Sequence, residues 1–117
     1  EREYPARDIR RFLPRFQPGN VDRNLELVNA LVAVAGEKRA TVAQIAIAWV
    51  LARGNDIVPL IGARTRKRLT EALGALDIQL TRDDLARIER AIPAGAAAGD
   101  RYDPHQMKVL DSERRLS

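Results

Sequence analysis

With 117 residues, 45% of them hydrophobic and 31% charged, the chain is one domain's worth of sequence, able to bury a core and not of low complexity. It contains no cysteine, which excludes disulfides, a thiol nucleophile and a thiolate metal site and fits a reducing compartment. A net charge of +4 admits an anionic partner, but that excess is small, and an aromatic content of 4% is poor, for a dedicated nucleic-acid binder.

Residues 1–19 carry Pro5, Pro14, Pro18 and Gly19 among arginines, with Phe12, Leu13 and Phe16 as the apolar points. They read as an ordered loop lying on something, since a free tail would expose two phenylalanines. No apolar stretch approaches the ~20 residues of a membrane span, and Glu1-Arg2-Glu3-Tyr4 has no signal-peptide core, so the expectation is a cytoplasmic protein without a membrane partner.

From Asn20, which is placed to cap, Val21, Leu25, Val28, Val32 and Ala35 recur at helical spacing and predict a helix ending near Gly36. Thr41-Val42-Ala43-Gln44 has the form of a capping box and opens a second helix to about Arg53, with Gly54 just past its end. Apolar nearly all round, this helix is expected to be buried on most sides, with Trp49 and the alanines in the core. The run Ile57-Val58-Pro59-Leu60-Ile61 is short, unbroken and rich in β-branched residues, the pattern of a strand covered on both faces in an α/β protein.

Gly62-Ala63 then turns into the basic cluster Arg64-Thr65-Arg66-Lys67-Arg68, which opens a third helix with Leu69, Ala72, Leu73 and Leu76 on one face, ending by Gly74 or Leu76. A charge run of this kind is usually a solvated face, but strand, tight turn, helix N-terminus and arginines together point to a phosphate site. Thr81-Arg82-Asp83-Asp84 reads as another capped start, with Leu85, Ile88 and Ile92 on a fourth helix that Pro93 closes. The two aspartates read as first-turn charges, not an acid/base pair. Residues 93–117 read as a flexible tail, and the one histidine, His105, as an isolated surface residue, with no metal site.

Four helices and one buried strand do not balance. A lone strand leaves both backbone edges unpaired, at roughly 1 to 3 kcal/mol for each buried unsatisfied group. The missing strands must come from residues outside this sequence or from other copies of the chain.

The order Thr41-x-x-Gln44-x-Ala46-x-Ala48-Trp49, Ile57 to Arg64, Arg68-Leu69-x-Glu71-x-Leu73-Gly74-Ala75-Leu76 and Leu80-Thr81-x-x-Asp84-Leu85-x-x-Ile88 resembles the C-terminal third of an aldo-keto reductase, over about residues 10–104. The resemblance implies an α/β fold, the C-terminal portion of a (β/α)₈ TIM barrel with one barrel strand and four helices. Residues 57–61 would be strand eight, residues 66–75 helix eight, and residues 82–92 an extra helix outside the barrel. It implies an oxidoreductase that reduces aldehydes or ketones with NADPH. By position it carries the 2′-phosphate loop onto Gly62, Ala63, Arg64 and Thr65, the phosphate-binding arginine onto Arg68, and the acidic residue near the adenine onto Glu71. Ala72 stands where the family usually has an adenine-binding Asn, and Ile61 where a Pro is common.

The family's catalytic Asp, Tyr, Lys and His come from the N-terminal half; Tyr4, Tyr102 and His105 match none of them, so the isolated chain is expected to be inactive. Its implied cofactor is NADP(H), and its implied partners are the missing N-terminal barrel portion, or other copies of itself, and a carbonyl substrate. A small basic helical nucleic-acid binder and a non-catalytic helical assembly module are the alternatives. The strand with its Pro59 counts against the former, and nucleic acid is not an expected partner.

Overall fold

The computed structural model describes residues 4–110; the expectations for residues 1–3 of the loop and 111–117 of the tail lie outside them. The described elements are helices α1 (Asn20–Glu37), α2 (Val42–Leu51), α3 (Arg66–Leu73), α4 (Arg82–Ala91) and α5 (Pro104–Met107), with short 3₁₀ turns at Ile9–Arg11, Pro14–Phe16 and Gly74–Asp77. The chain divides into two compact units, residues 27–94 and residues 1–26 with 95–117.

In the unit of residues 27–94 the core is built from Leu31, Val34 and Ala35 of α1, Ile45 of α2 and Ile88 of α4, with Val42, Trp49, Ile78, Leu80 and Ile92 packed around them. The apolar face of α1 therefore differs from the expected one. Val28 and Val32 are 46% and 54% exposed, while Leu31 and Val34 are buried. The helix carries two adjacent apolar stripes, and the available core covers the one through Leu31. Helix α1 ends two residues past the start of its closing turn: the Ala40 N–H reaches the Ala35 carbonyl at 2.9 Å and the Arg39 N–H reaches Gly36 at 3.1 Å. This is a Schellman closure, with Arg39 at φ 52 in the place usually given to glycine.

Helix α2 starts as expected. Thr41 accepts from the Gln44 N–H at 3.2 Å while Gln44 Oε1 accepts from the Thr41 N–H at 2.9 Å. It ends at Leu51, two residues short of Arg53, and Gly54 is not in a left-handed conformation. It is also less covered than its composition implies: only Ile45 and Ala48 are buried, and Ala46 is exposed.

The expected strand is the main correction. Residues 57–61 take up no regular secondary structure and belong to no ladder, and Val58 and Leu60 are 83% and 98% exposed. Among the described residues no segment forms a strand that could pair with them, and the side chains of Val58 and Leu60 stand in solvent. What is observed as the chain's architecture is helical.

Helix α4 is fixed by Asp84. Its Oδ2 accepts from the Thr81 N–H and hydroxyl at 2.8 Å each, and lies 2.5 Å from Lys38 Nζ. The Lys38 ammonium, followed by the Thr81 N–H, holds the Asp84 carboxyl down at about 2 from an ordinary 3.8. Because the folded value is the lower one, the stability it contributes is fully present above 3.8 and is lost as pH falls toward about 2. Lys38→Met, which leaves a largely buried carboxylate without its cation, is expected to cost about 2 kcal/mol near neutral pH. Urea unfolding should show the gap to wild type closing as Asp84 is protonated; a gap independent of pH would contradict this. On the surface Arg87 pairs with Glu37 through both terminal guanidinium nitrogens, at 2.7 and 2.8 Å, and Arg53 pairs with Glu89.

In the other unit Asn24 is the organiser. Its Nδ2 donates to the carbonyls of Arg15 and Ala98 at 3.1 and 3.0 Å, and its Oδ1 accepts from the Ala98 N–H at 2.8 Å. Asn20 does not cap α1 but lies within it, donating through its side chain to the Pro14 carbonyl at 2.9 Å. Phe16 meets Tyr4 edge-on at 6.0 Å, but Phe12 is 73% exposed, so only one of the two phenylalanines lies on a neighbour as expected. Asp103 caps α5 through the His105 and Gln106 N–H groups. Among the described residues no helix is long and apolar enough to cross a membrane.

Candidate functional site

The basic cluster is organised by Thr65, whose extended backbone (φ −132, ψ 153) ends the loop and whose hydroxyl accepts from the Arg68 N–H at 3.3 Å. Capping ties the loop to the first turn of α3, so Arg64, Thr65 and Arg68 share one corner of the molecule. Gly62 and Ala63 precede it on exposed backbone, and a Cβ at Gly62 would meet nothing within 4 Å. All of residues 61–70 are exposed. Among the described residues, Arg64, Arg66, Lys67 and Arg68 have no ion-pair or side-chain hydrogen-bond partner, in contrast to Arg10, Arg53 and Arg87, which face carboxylates. With the free N–H groups of a helix start beside them, these cations are available to an anion.

Glu71 lies one turn on and is half-buried. Its backbone carbonyl accepts from Gln44 Nε2 at 2.8 Å, a link between α2 and α3 that went unread in the sequence. The signal was there in part: a glutamine at the third helical position needs only its oxygen for a capping box, which leaves its amide N–H₂ to be spent elsewhere.

Beside the corner lies an open groove of about 290 Å³, walled by Ile47 and Leu51 of α2, Ile57 and Ile61 of the extended segment, and Leu69, Ala72 and Leu73 of α3. The walls are apolar throughout. Ala72, which replaces the expected polar residue, is one of them.

Among the described residues no acid/base pair accompanies the groove. Asp83 is exposed in the first turn of α4, and its neighbour Asp84 is committed to Lys38 and Thr81. His105 is exposed on α5, and the Tyr4 ring lies under the Arg10 guanidinium at 4.6 Å. Among the described residues no group of three or more His, Cys, Asp or Glu side chains is placed to hold a metal ion.

The motif order set out above agrees with the comparisons. The model of the aldo/keto reductase family matches residues 1–93, and the chain belongs to that family. It is 43% identical over 89 residues to a probable aldo-keto reductase 1 of Glycine max, covering 76% of this chain and 26% of that protein. It is also 37% identical over 102 residues to the Schizosaccharomyces pombe aldo-keto reductase yakc [NADP(+)], covering 87% of this chain and 30% of that protein. The chain thus spans between a quarter and a third of the length of these curated relatives. No solved structure matches it.

Proposed function

We propose that this chain is the C-terminal, NADP(H)-binding portion of an aldo-keto reductase, an oxidoreductase that reduces aldehydes and ketones to alcohols. The observation that carries the reading is the set of unpaired, exposed cations, Arg64 and Arg68 above all, gathered by the Thr65 cap at the start of α3. These residues fit a phosphate: the guanidinium groups are uncommitted, the loop at Gly62 is open, and the helix start favours negative charge. The name of the Schizosaccharomyces pombe relative, which includes NADP(+), supports the choice of dinucleotide.

In this reading Arg64 and Arg68 hold the adenosine 2′-phosphate, Gly62, Ala63 and Thr65 wrap it with backbone and hydroxyl groups, and Glu71 lies toward the adenine. Ala72 offers apolar contact where a hydrogen bond is usual in the family. When bound, NADPH supplies the hydride; the groups described here supply affinity and orientation only. The apolar groove and the exposed side of residues 57–61 are the surface that the rest of the barrel would cover, with residues 57–61 becoming strand eight. In its absence, copies of the chain would cover one another. Family membership leaves the nucleic-acid and assembly-module alternatives without support.

The purified 117-residue chain is therefore expected to oxidise no NADPH in the presence of an aldehyde, because no residue of this sequence matches the family's catalytic Asp, Tyr, Lys and His. Absorbance decay above a buffer control would contradict this.

A further inference from the structure

We propose that Gln44, through its amide contact with the Glu71 carbonyl and the glycine at position 74, is a positioning residue for the cofactor corner, one that sets how α3 presents Arg64 and Arg68; the proposal rests on the cofactor reading above. Gln44 is used at both ends. Its Oε1 accepts from the Thr41 N–H at 2.9 Å and its Nε2 donates to the Glu71 carbonyl at 2.8 Å. The orientation of the amide is forced, since a backbone N–H needs an acceptor and a carbonyl needs a donor. A glutamate would complete the capping box equally well but has nothing to donate to Glu71.

Gly74 is the second half of the lock. It closes α3 at φ −60 and ψ −14, a conformation open to any residue, where alanine in place of glycine normally stabilises. Its glycine answers to space instead: a Cβ there would lie 2.5 Å from Gln44 Nε2. Alanine there would push the amide end of Gln44 off the position at which it bonds both the Thr41 N–H and the Glu71 carbonyl. Helix α3 has eight residues, so a hydrogen bond to Glu71, with Gly74 packed close beside the same amide, bears on how its capped first turn is presented.

The test uses the whole 117-residue chain as wild type, Gln44→Glu, Gly74→Ala and the double variant, with two readouts. Amide hydrogen exchange over residues 66–71 should quicken several-fold in both single variants. The ratio of NADP⁺ to NAD⁺ affinity, by titration calorimetry, should fall about fivefold in each. The α2 helix and the urea midpoint should stay near wild type in Gln44→Glu, because an acid at that position suits the helix start. The double variant should be no worse than either single one, since both break one contact. Discrimination retained in the variants while wild type discriminates would overturn the positioning role and leave the cofactor reading standing. Wild type that does not discriminate would sink the cofactor reading, and the positioning role with it. A loss of both nucleotides in proportion to a lowered urea midpoint would reduce Gln44 to a structural contact and also overturn the proposal.

Discussion

Arg68→Ala is expected to weaken binding of NADP⁺ by tenfold or more and to leave NAD⁺ nearly unchanged. Arg68 sits at the third position of α3, exposed and without an ion-pair partner, so its removal takes nothing from the fold. Against a phosphate a guanidinium forms charge-assisted, often bidentate hydrogen bonds worth about 1.5 to 3 kcal/mol, which is roughly ten- to a hundredfold in affinity. Two such contacts from Arg64 and Arg68 would bring the chain alone only to about millimolar affinity. Titration of both nucleotides against both proteins gives the answer. Equal loss for NADP⁺ and NAD⁺ would mean that Arg68 does not read the 2′-phosphate.

The second large effect concerns the fold. Ile45 has no exposed surface and is the largest side chain so enclosed among the described residues, at the meeting point of α1, α2 and α4. Ile45→Ala should cost about 3 kcal/mol, the lost transfer energy plus the cavity left behind. A small domain has only about 5 to 15 kcal/mol in all, so the urea midpoint should fall steeply. Leu60→Ala is the matched control: at 98% exposure it should change stability by less than about 0.5 kcal/mol in the isolated chain. A large loss at Leu60 would mean that residues 57–61 are covered in solution, by another copy of the chain.

The contrast between Ile45 and Leu60 also marks what can be read locally. Both capping boxes were legible, because a hydroxyl three residues ahead of an amide or carboxylate satisfies helix N–H groups without help from elsewhere. So were the starts of α2 and α4, the basic opening of α3, and the stop at Pro93. The strand was not, because a strand is a relation between segments: Ile57 to Ile61 has the composition of one, but among the described residues nothing pairs with it. The α1 face failed for a similar reason, since two stripes on one helix are equally apolar and only the packing of Ile45 and Ile88 selects Leu31 and Val34. Asp84 was correctly read as a first-turn charge, but its partner Lys38 is 46 positions away in sequence and carried no local signal. At the site, the cations and the turn were visible, and the resemblance gave them roles. The hold of Gln44 on Glu71 exists only in the folded chain, across 27 positions of sequence.

The central claim, that residues 62–71 grip the phosphate of a dinucleotide, is tested most directly by following backbone amide resonances of the ¹⁵N-labelled chain during parallel titrations with NADP⁺ and NAD⁺. The account predicts saturable shifts confined to Gly62 through Glu71 and the adjoining groove with NADP⁺, and little change with NAD⁺ at the same concentrations. Identical shifts with the two nucleotides, or shifts elsewhere with none at Arg64 to Arg68, would contradict it.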